Sequence, residues 1–188
     1  MGNTRFRRAI EKINTANAED PTGVAAIHAE RRTQWMYKLK GDSASEALLL
    51  AARAQHIRRW QIPRSAYPDG RAGYLNWRAA LQRFHAEQTA EILRETGYDD
   101  ETIERVGGLI QKRRLKLDPE TQALEDVLCL VFLETQFADF AKKEADKIGN
   151  IIRKTWRKMS PQGQALALQL PLSAEERAII EEALTSDE

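Results

Sequence analysis

Apolar residues recur at the helical spacing of three and four positions along almost the whole chain, and this pattern limits the fold more than any other feature. Residues that favour helices, such as Ala, Leu, Glu, Gln, Lys and Arg, dominate the sequence. No segment alternates polar and apolar residues for long enough to indicate a strand. Because 188 residues suffice for one domain and are few for two, the sequence predicts a single compact all-α domain over 1–188.

Helix caps and helix breakers set the expected boundaries of the elements. Ser43, with Glu46 three residues later, matches the capping-box pattern and is predicted to begin the third helix. The stretch 61–73 is rich in Pro and Gly and is predicted to be the one long loop, a type of segment that often carries function. The sequence predicts helices at 4–18, 24–39, 43–60, 74–96, 99–115, 118–147, 151–159, 162–169 and 174–184.

The balance of charge argues against a protein that binds nucleic acid through bulk attraction. Lys and Arg number 29 and Asp and Glu number 28, so the formal net charge is only +1. The basic run 112–116 falls at the predicted end of a helix, where cations interact favourably with the helix dipole. We therefore interpret that run as a solvated helix terminus.

Cysteine content and hydropathy indicate where the protein is expected to reside. Cys129 is the only cysteine and lies in an apolar run, so we expect it to be buried, reduced and in the cytoplasm. The apolar stretches are far shorter than the roughly 20 residues that a membrane span needs. The first eight residues are polar and basic without a following apolar segment, so we expect neither a signal peptide nor membrane association.

The three histidines share a setting, because each is predicted at or beside the inward face of a helix. His28, His56 and His85 fall on three separate predicted helices, and Asp126 falls on the apolar face of a fourth. A buried carboxylate is costly unless a metal, a cation or hydrogen bonds compensate it. Imidazole and carboxylate together suit Zn²⁺, Mn²⁺ or Fe, whereas a hydrogen-bonded core histidine is the commoner role for any one of these side chains.

The order of these residues is similar to that of a known enzyme family. His28-x-x-Arg31, the run 48–52 that leads to His56, a histidine that opens a helical segment at His85, and an Asp on a later helix at Asp126 resemble the HD-domain metal-dependent phosphohydrolases. The resemblance covers about 24–140 and leaves a helical extension at about 148–185. It implies an HD-like fold with His28, His56 and Asp126 as metal ligands and His85 as an additional one.

One position departs from the HD pattern. The family has an aspartate directly after its central histidine, whereas Ile57 follows His56 here. That aspartate ligates the metal and orients the attacking water in the family, so its role would pass to a side chain such as Glu125, Glu87 or Gln55. The resemblance thus implies Asp126 and Glu125 as catalytic residues and also leaves open a site that has lost its metal.

A second resemblance spans nearly the whole chain. The block 51–64, the block 67–78, the apolar block 124–134 and the block 154–160 are similar to a family of bacterial and fungal proteins known as domain of unknown function 4202. This resemblance is specific in sequence and implies no reaction.

Arginines and aromatic residues alternate in and around the predicted loop. Arginine offers a planar fork that matches phosphate, and aromatic rings suit stacking on a nucleobase. Alternatively, these arginines pair with nearby acids or stack on the tryptophans as structural elements. The predicted ligand-binding residues are Arg31, Arg59, Arg64, Arg71, Trp60 and Tyr67.

The sequence therefore leads to one functional hypothesis with two alternatives. The first is an HD-like domain that binds a phosphorylated, nucleotide-like small molecule and hydrolyses it if a divalent metal is held. The second is a ligand-binding or protein-interaction module with a degenerate site. The third is an HD-like oxygenase that uses iron.

Overall fold

The computed structural model describes residues 4–185, and within that range the regular elements are all helices, without a strand. The all-α fold is thereby confirmed. Part of the basic N-terminal stretch, 1–3, lies outside the described residues. The α-helices are α1 Thr4–Ala18, α2 Val24–Lys40, α3 Glu46–Ala54, α4 Gly70–Glu95, α5 Asp100–Ile110, α6 Pro119–Thr135, α7 Phe137–Lys143, α8 Ala145–Lys158, α9 Pro161–Ala167 and α10 Ala174–Thr185.

Side-chain caps explain where several helices begin. Asp118 accepts hydrogen bonds from the Glu120 and Thr121 amides at the start of α6, with Pro119 at the first helical position. Ser45, not Ser43, caps α3, because its Oγ accepts from the Leu48 amide at 3.1 Å. The predicted N-cap at Ser43 is therefore wrong by two residues, and Ser43 ends a short 3-10 turn instead.

The third helix is much shorter than the sequence predicts. It ends at Ala54 rather than near Trp60, because Gln55 leaves the helical conformation with ψ at 126° and because His56 and Arg58 have positive φ angles of 69° and 50°. Two 3-10 turns, Arg59–Gln61 and Arg64–Ala66, follow before α4 begins at Gly70. His56 and Trp60, both predicted within this helix, therefore lie after its end.

Contacts along the chain divide it into two compact units, 4–115 and 116–185 among the described residues. This boundary falls shortly before α6 begins at Pro119, and the extent of the HD-like core, about 24–140, stays a prediction. Helix α5 ends at Ile110 instead of Leu115, so the basic run 112–116 lies in turns that join the units. The organisation as a single domain stays a prediction.

In the first unit, α3 lies at the centre and packs against α1, α2 and α5. Five of its nine residues are fully buried, and burial of this alanine- and leucine-rich segment supplies apolar stabilisation. Its one arginine, Arg53, reaches outward and ties three helices together, with hydrogen bonds to Asn14 of α1 and to Glu30 and Thr33 of α2.

In the second unit, α6 is buried on most sides and contacts α7, α8 and α9, while α10 packs on α8. The predicted continuous helix 118–147 is wrong, because the chain breaks at Gln136 and again at Glu144. Cys129 is buried in α6 as predicted. Among the described helices, none combines the length and apolar character that crossing a bilayer demands.

Candidate functional site

A pocket of about 310 Å³ opens in the first unit where the start of α2, the irregular segment after α3 and the start of α4 meet. Its volume is near the lower limit of the roughly 300–1,000 Å³ typical of small-molecule sites. We call it the His–Arg pocket, and it is lined by Asp20, Thr22, Val24, Ala25, His28, Arg32, His56, Arg59, Trp60, Ile62, Pro63 and Trp77.

Two arginines give the pocket its positive charge. Arg32 is only 2% exposed, and its Nε donates to the Ala52 carbonyl at 2.9 Å. Burial, together with the nearby charge of Arg53, lowers the pKa of Arg32 to about 9, so Arg32 stays charged at neutral pH. Arg59 lies over the Trp77 ring at 4.8 Å from its centroid. Within the described residues, no carboxylate pairs with either guanidinium.

Trp77 and the irregular segment form the apolar wall. The Trp77 indole donates to the Ile62 carbonyl at 2.9 Å, which fixes both the ring and the segment. Trp60, Ile62 and Pro63 complete this wall beside Arg59. The pocket therefore combines a charged side with an aromatic side, as a ligand with a charged group and a planar group requires.

His56 and His85 form a pair at the inner side of the segment after α3. Their ring centroids are 5.6 Å apart, and His85 is 1% exposed. The His85 Nδ1 lies 2.7 Å from the Ile57 carbonyl, which can only accept, so Nδ1 carries the proton. Nε2 is buried and makes no hydrogen bond to the described residues. His56 lines the pocket in a left-handed backbone conformation that costs free energy for a side chain with a Cβ.

Burial and positive neighbours keep the histidines neutral. Burial lowers the pKa of His85 to about 4, against the Ile57 hydrogen bond, which raises it, and with help from Arg59 and Arg32. Burial also places the pKa of His56 well below its ordinary value, again with Arg32 and Arg59 contributing. The pKa of His28 is lowered by burial and by Arg32. Positive charge in the pocket is therefore carried by the arginines.

Asp20 is the only acid among the lining residues, and its oxygens are already engaged. They accept hydrogen bonds from the Ala25 amide at 2.8 Å and from the Thr22 amide and hydroxyl. Burial would raise the pKa of Asp20, but these hydrogen bonds outweigh it and lower the pKa. Asp20 thus serves to begin α2, where the positive end of the helix dipole favours a carboxylate.

Of the predicted ligand-binding residues, Arg59 and Trp60 line the pocket and the others do not. Arg64 donates to the carbonyls of Tyr67 and Pro68, at 2.8 and 2.9 Å, and so holds its own loop together. Arg31 and Arg71 are exposed on α2 and α4, and Tyr67 is half-buried. The binding roles predicted for these four residues stay predictions.

The predicted catalytic carboxylates lie in the second unit. Asp126 is 2% exposed, and hydrogen bonds compensate its burial. It accepts from the Ser160 amide at 2.7 Å, from the Ser160 hydroxyl at 2.5 Å and from Gln122 Nε2 at 2.9 Å. A metal, a cation or hydrogen bonds were expected to compensate a buried Asp126, and hydrogen bonds do so in the structure. Glu125 is buried beside it on α6.

The donor set implied by the HD resemblance does not fit a metal ion. No three His, Cys, Asp or Glu side chains among residues 4–185 lie together in a way that would ligate one. The oxygens of Asp126 are occupied by Ser160 and Gln122, and Nδ1 of His85 is occupied by Ile57. Metal sites in proteins need three or more converging ligands, and the described residues do not supply such a set.

Sequence reasoning missed Arg32 as a pocket residue. The available signal for Arg32 was its position one helical turn after His28, on the same face of α2. Trp77, one of the aromatic residues that alternate with the arginines, is half-buried and borders the pocket.

Fold and pocket together define an all-helical protein with a basic, aromatic-walled pocket in its first unit. The chain belongs to the family described as Domain of unknown function (DUF4202), whose family model matches residues 7–180. No curated protein matches the chain. No solved structure matches it either. The HD-like resemblance stays a prediction.

Proposed function

We propose that the first unit binds a phosphorylated small molecule of nucleotide-like shape in the His–Arg pocket. The observation that carries the proposal is the pair Arg32 and Arg59, two guanidiniums that line one pocket and have no carboxylate partner among the described residues. A buried cation without a counterion is costly, so an anionic ligand would stabilise the folded state.

The aromatic wall supports a ligand with a planar group beside its phosphate. Trp60 and Trp77 offer surface for stacking, which contributes roughly 1–3 kcal/mol per base in nucleic-acid proteins. Arg59 already stacks on Trp77, so its guanidinium is held in place before the ligand arrives. This preorganisation lowers the entropy cost of binding.

The proposal is limited to binding. The hydrolase and oxygenase alternatives need a metal whose ligands the described residues do not bring together. A reducing, cytoplasmic location is part of the proposal, and its support is that Cys129 is the only cysteine and is buried.

Thermal-shift and calorimetric titrations with three probes test this proposal. Adenosine monophosphate is expected to stabilise the protein more than inorganic phosphate, and adenosine alone is expected to have little effect. Trp60→Ala is expected to weaken nucleotide binding about tenfold, because roughly one stacking contact is lost, while the affinity for phosphate stays unchanged.

Tyr37→Ala is the matched control, since Tyr37 is an exposed aromatic residue of α2 outside the pocket. It is expected to bind both probes like the natural chain. Absence of any stabilisation by phosphate and nucleotide, or equal losses in both variants, would contradict the proposal.

A further inference from the structure

We infer that the His–Arg pocket binds phosphate without a metal ion, and that the guanidiniums of Arg32 and Arg59 supply the positive charge. This inference rests on the proposed function and adds how the charge of the ligand is neutralised. On this inference, a pocket that contains histidines is not a metal centre.

The positive charges of Arg32 and Arg59 favour an anion over a cation. Arg32 is almost fully buried and charged, and its Nε donates to the Ala52 carbonyl. Its two terminal nitrogens have no partner of opposite charge among the described residues. Arg59 lines the same pocket and is held by Trp77. Each guanidinium offers a planar fork that matches two phosphate oxygens in geometry and opposes their charge. The same pair would repel a divalent cation.

The pocket histidine His56 is poorly placed to hold a metal ion. Arg32 and Arg59 line the same pocket as His56. A divalent cation held by the His56 ring would therefore lie in a pocket that already carries two guanidinium charges, which repel it. His56 is therefore placed to accept a hydrogen bond from a ligand or from water rather than to hold a cation.

The pocket lining offers too little negative charge for a divalent ion. A divalent ion in a pocket that already holds two arginines would need carboxylates to offset the charge. Asp20 is the only acid of the lining, and its oxygens accept from Thr22 and from the Ala25 amide. The pocket is thus electrostatically complementary to an anion alone.

Calorimetric titration of inorganic phosphate into the full-length protein tests this inference, first with excess chelator and then with added Mn²⁺ or Zn²⁺. The dissociation constant is expected to agree within about twofold across these conditions. Arg32→Met and Arg59→Met are each expected to weaken phosphate binding by about tenfold or more, the loss of one charge-assisted contact.

Arg83→Met is the matched control, because Arg83 is exposed on α4 and does not line the pocket. Circular dichroism checks that each variant folds, and Arg59→Met carries the test if the more deeply buried Arg32 proves necessary for folding. Binding that appears only with added metal, or that survives Arg59→Met unchanged, would overturn the inference. Absence of phosphate binding in every condition would instead overturn the proposed function.

Discussion

The arginines around the His–Arg pocket differ in whether their guanidiniums are engaged by other residues or are available to a ligand. Arg58 donates to both carboxylate oxygens of Glu19, at 3.1 and 3.3 Å, and to Gln88 at 2.7 Å. Arg64 is engaged by two carbonyls of its own loop. Arg32 and Arg59 have no such acidic partner in the described chain. The first two thus hold the segment after α3 in place, and the latter two are available for a ligand.

Glycine at position 73 is required by a close approach of the loop to α4. A Cβ on Gly73 would lie 1.8 Å from the Pro68 carbonyl oxygen, which also accepts from Arg64. Gly73→Ala is therefore expected to lower the free energy of unfolding by about 1–3 kcal/mol, since backbone must move to relieve the overlap. Urea unfolding followed by tryptophan fluorescence measures this loss.

Gly107→Ala is the control for this prediction, because Gly107 also lies within a helix of the first unit. Its added Cβ would meet nothing closer than the Ala86 Cβ at 3.9 Å. The control is expected to raise stability by about 0.5–1 kcal/mol through helix propensity alone. Equal effects at the two glycines would show that the Pro68 contact is not the cause.

At the scale of single elements, one N-cap determines where the buried helix α3 begins. The Ser45 hydroxyl satisfies the Leu48 amide, and the buried run from Leu48 to Ala54 follows at once. Ser43, two residues earlier, instead donates to the Lys40 carbonyl at 2.6 Å and closes the turn after α2. Two serines that look equivalent in the sequence therefore serve different helices.

Removal of the two serine hydroxyls is expected to have unequal effects. Ser45→Ala leaves the Leu48 amide without its acceptor and should lower the free energy of unfolding by about 1 kcal/mol. Ser43→Ala should cost less than about 0.5 kcal/mol, because Ser43 lies in an exposed turn. Chemical denaturation of both variants compares them, and a larger loss at Ser43 would favour the capping box that the sequence pattern predicts.

At the scale of the whole molecule, buried histidines make the stability of the first unit depend on pH. His85 has a folded pKa of about 4 against an ordinary value of 6.5, mainly because it is buried. The unfolded chain therefore binds more protons than the folded chain between these values. The contribution of the neutral His85 ring to the free energy of unfolding is complete above about pH 6.5. It decreases by about 3 kcal/mol in total as the pH falls towards 4.

Urea unfolding at a series of pH values between 7.5 and 4.5 measures this dependence. The natural chain is expected to lose stability steadily across the window. His85→Gln should have a shallower slope, because glutamine can still donate to the Ile57 carbonyl but does not titrate. An unchanged slope in this variant would assign the dependence to other groups.

Local signals in the sequence explain which helices were predicted well. The limits of α1, α2 and α10 agree with prediction within about one residue, because caps, glycines and prolines act on their immediate neighbours. The breaks at Gln136 and Glu144 were missed because neither is marked by a nearby Gly or Pro. The left-handed His56 was missed for the same reason, since no local pattern demands that conformation of a histidine.

By itself the sequence determined the all-α class, the buried positions of His85, Cys129 and Asp126, and the presence of arginines and tryptophans after α3. Only the tertiary structure decided which of these side chains meet. Helical period and capping depend on residues a few positions apart, whereas the pairing of an arginine depends on packing between distant segments. For that reason Arg64 became part of its own loop, and Arg32 entered the pocket.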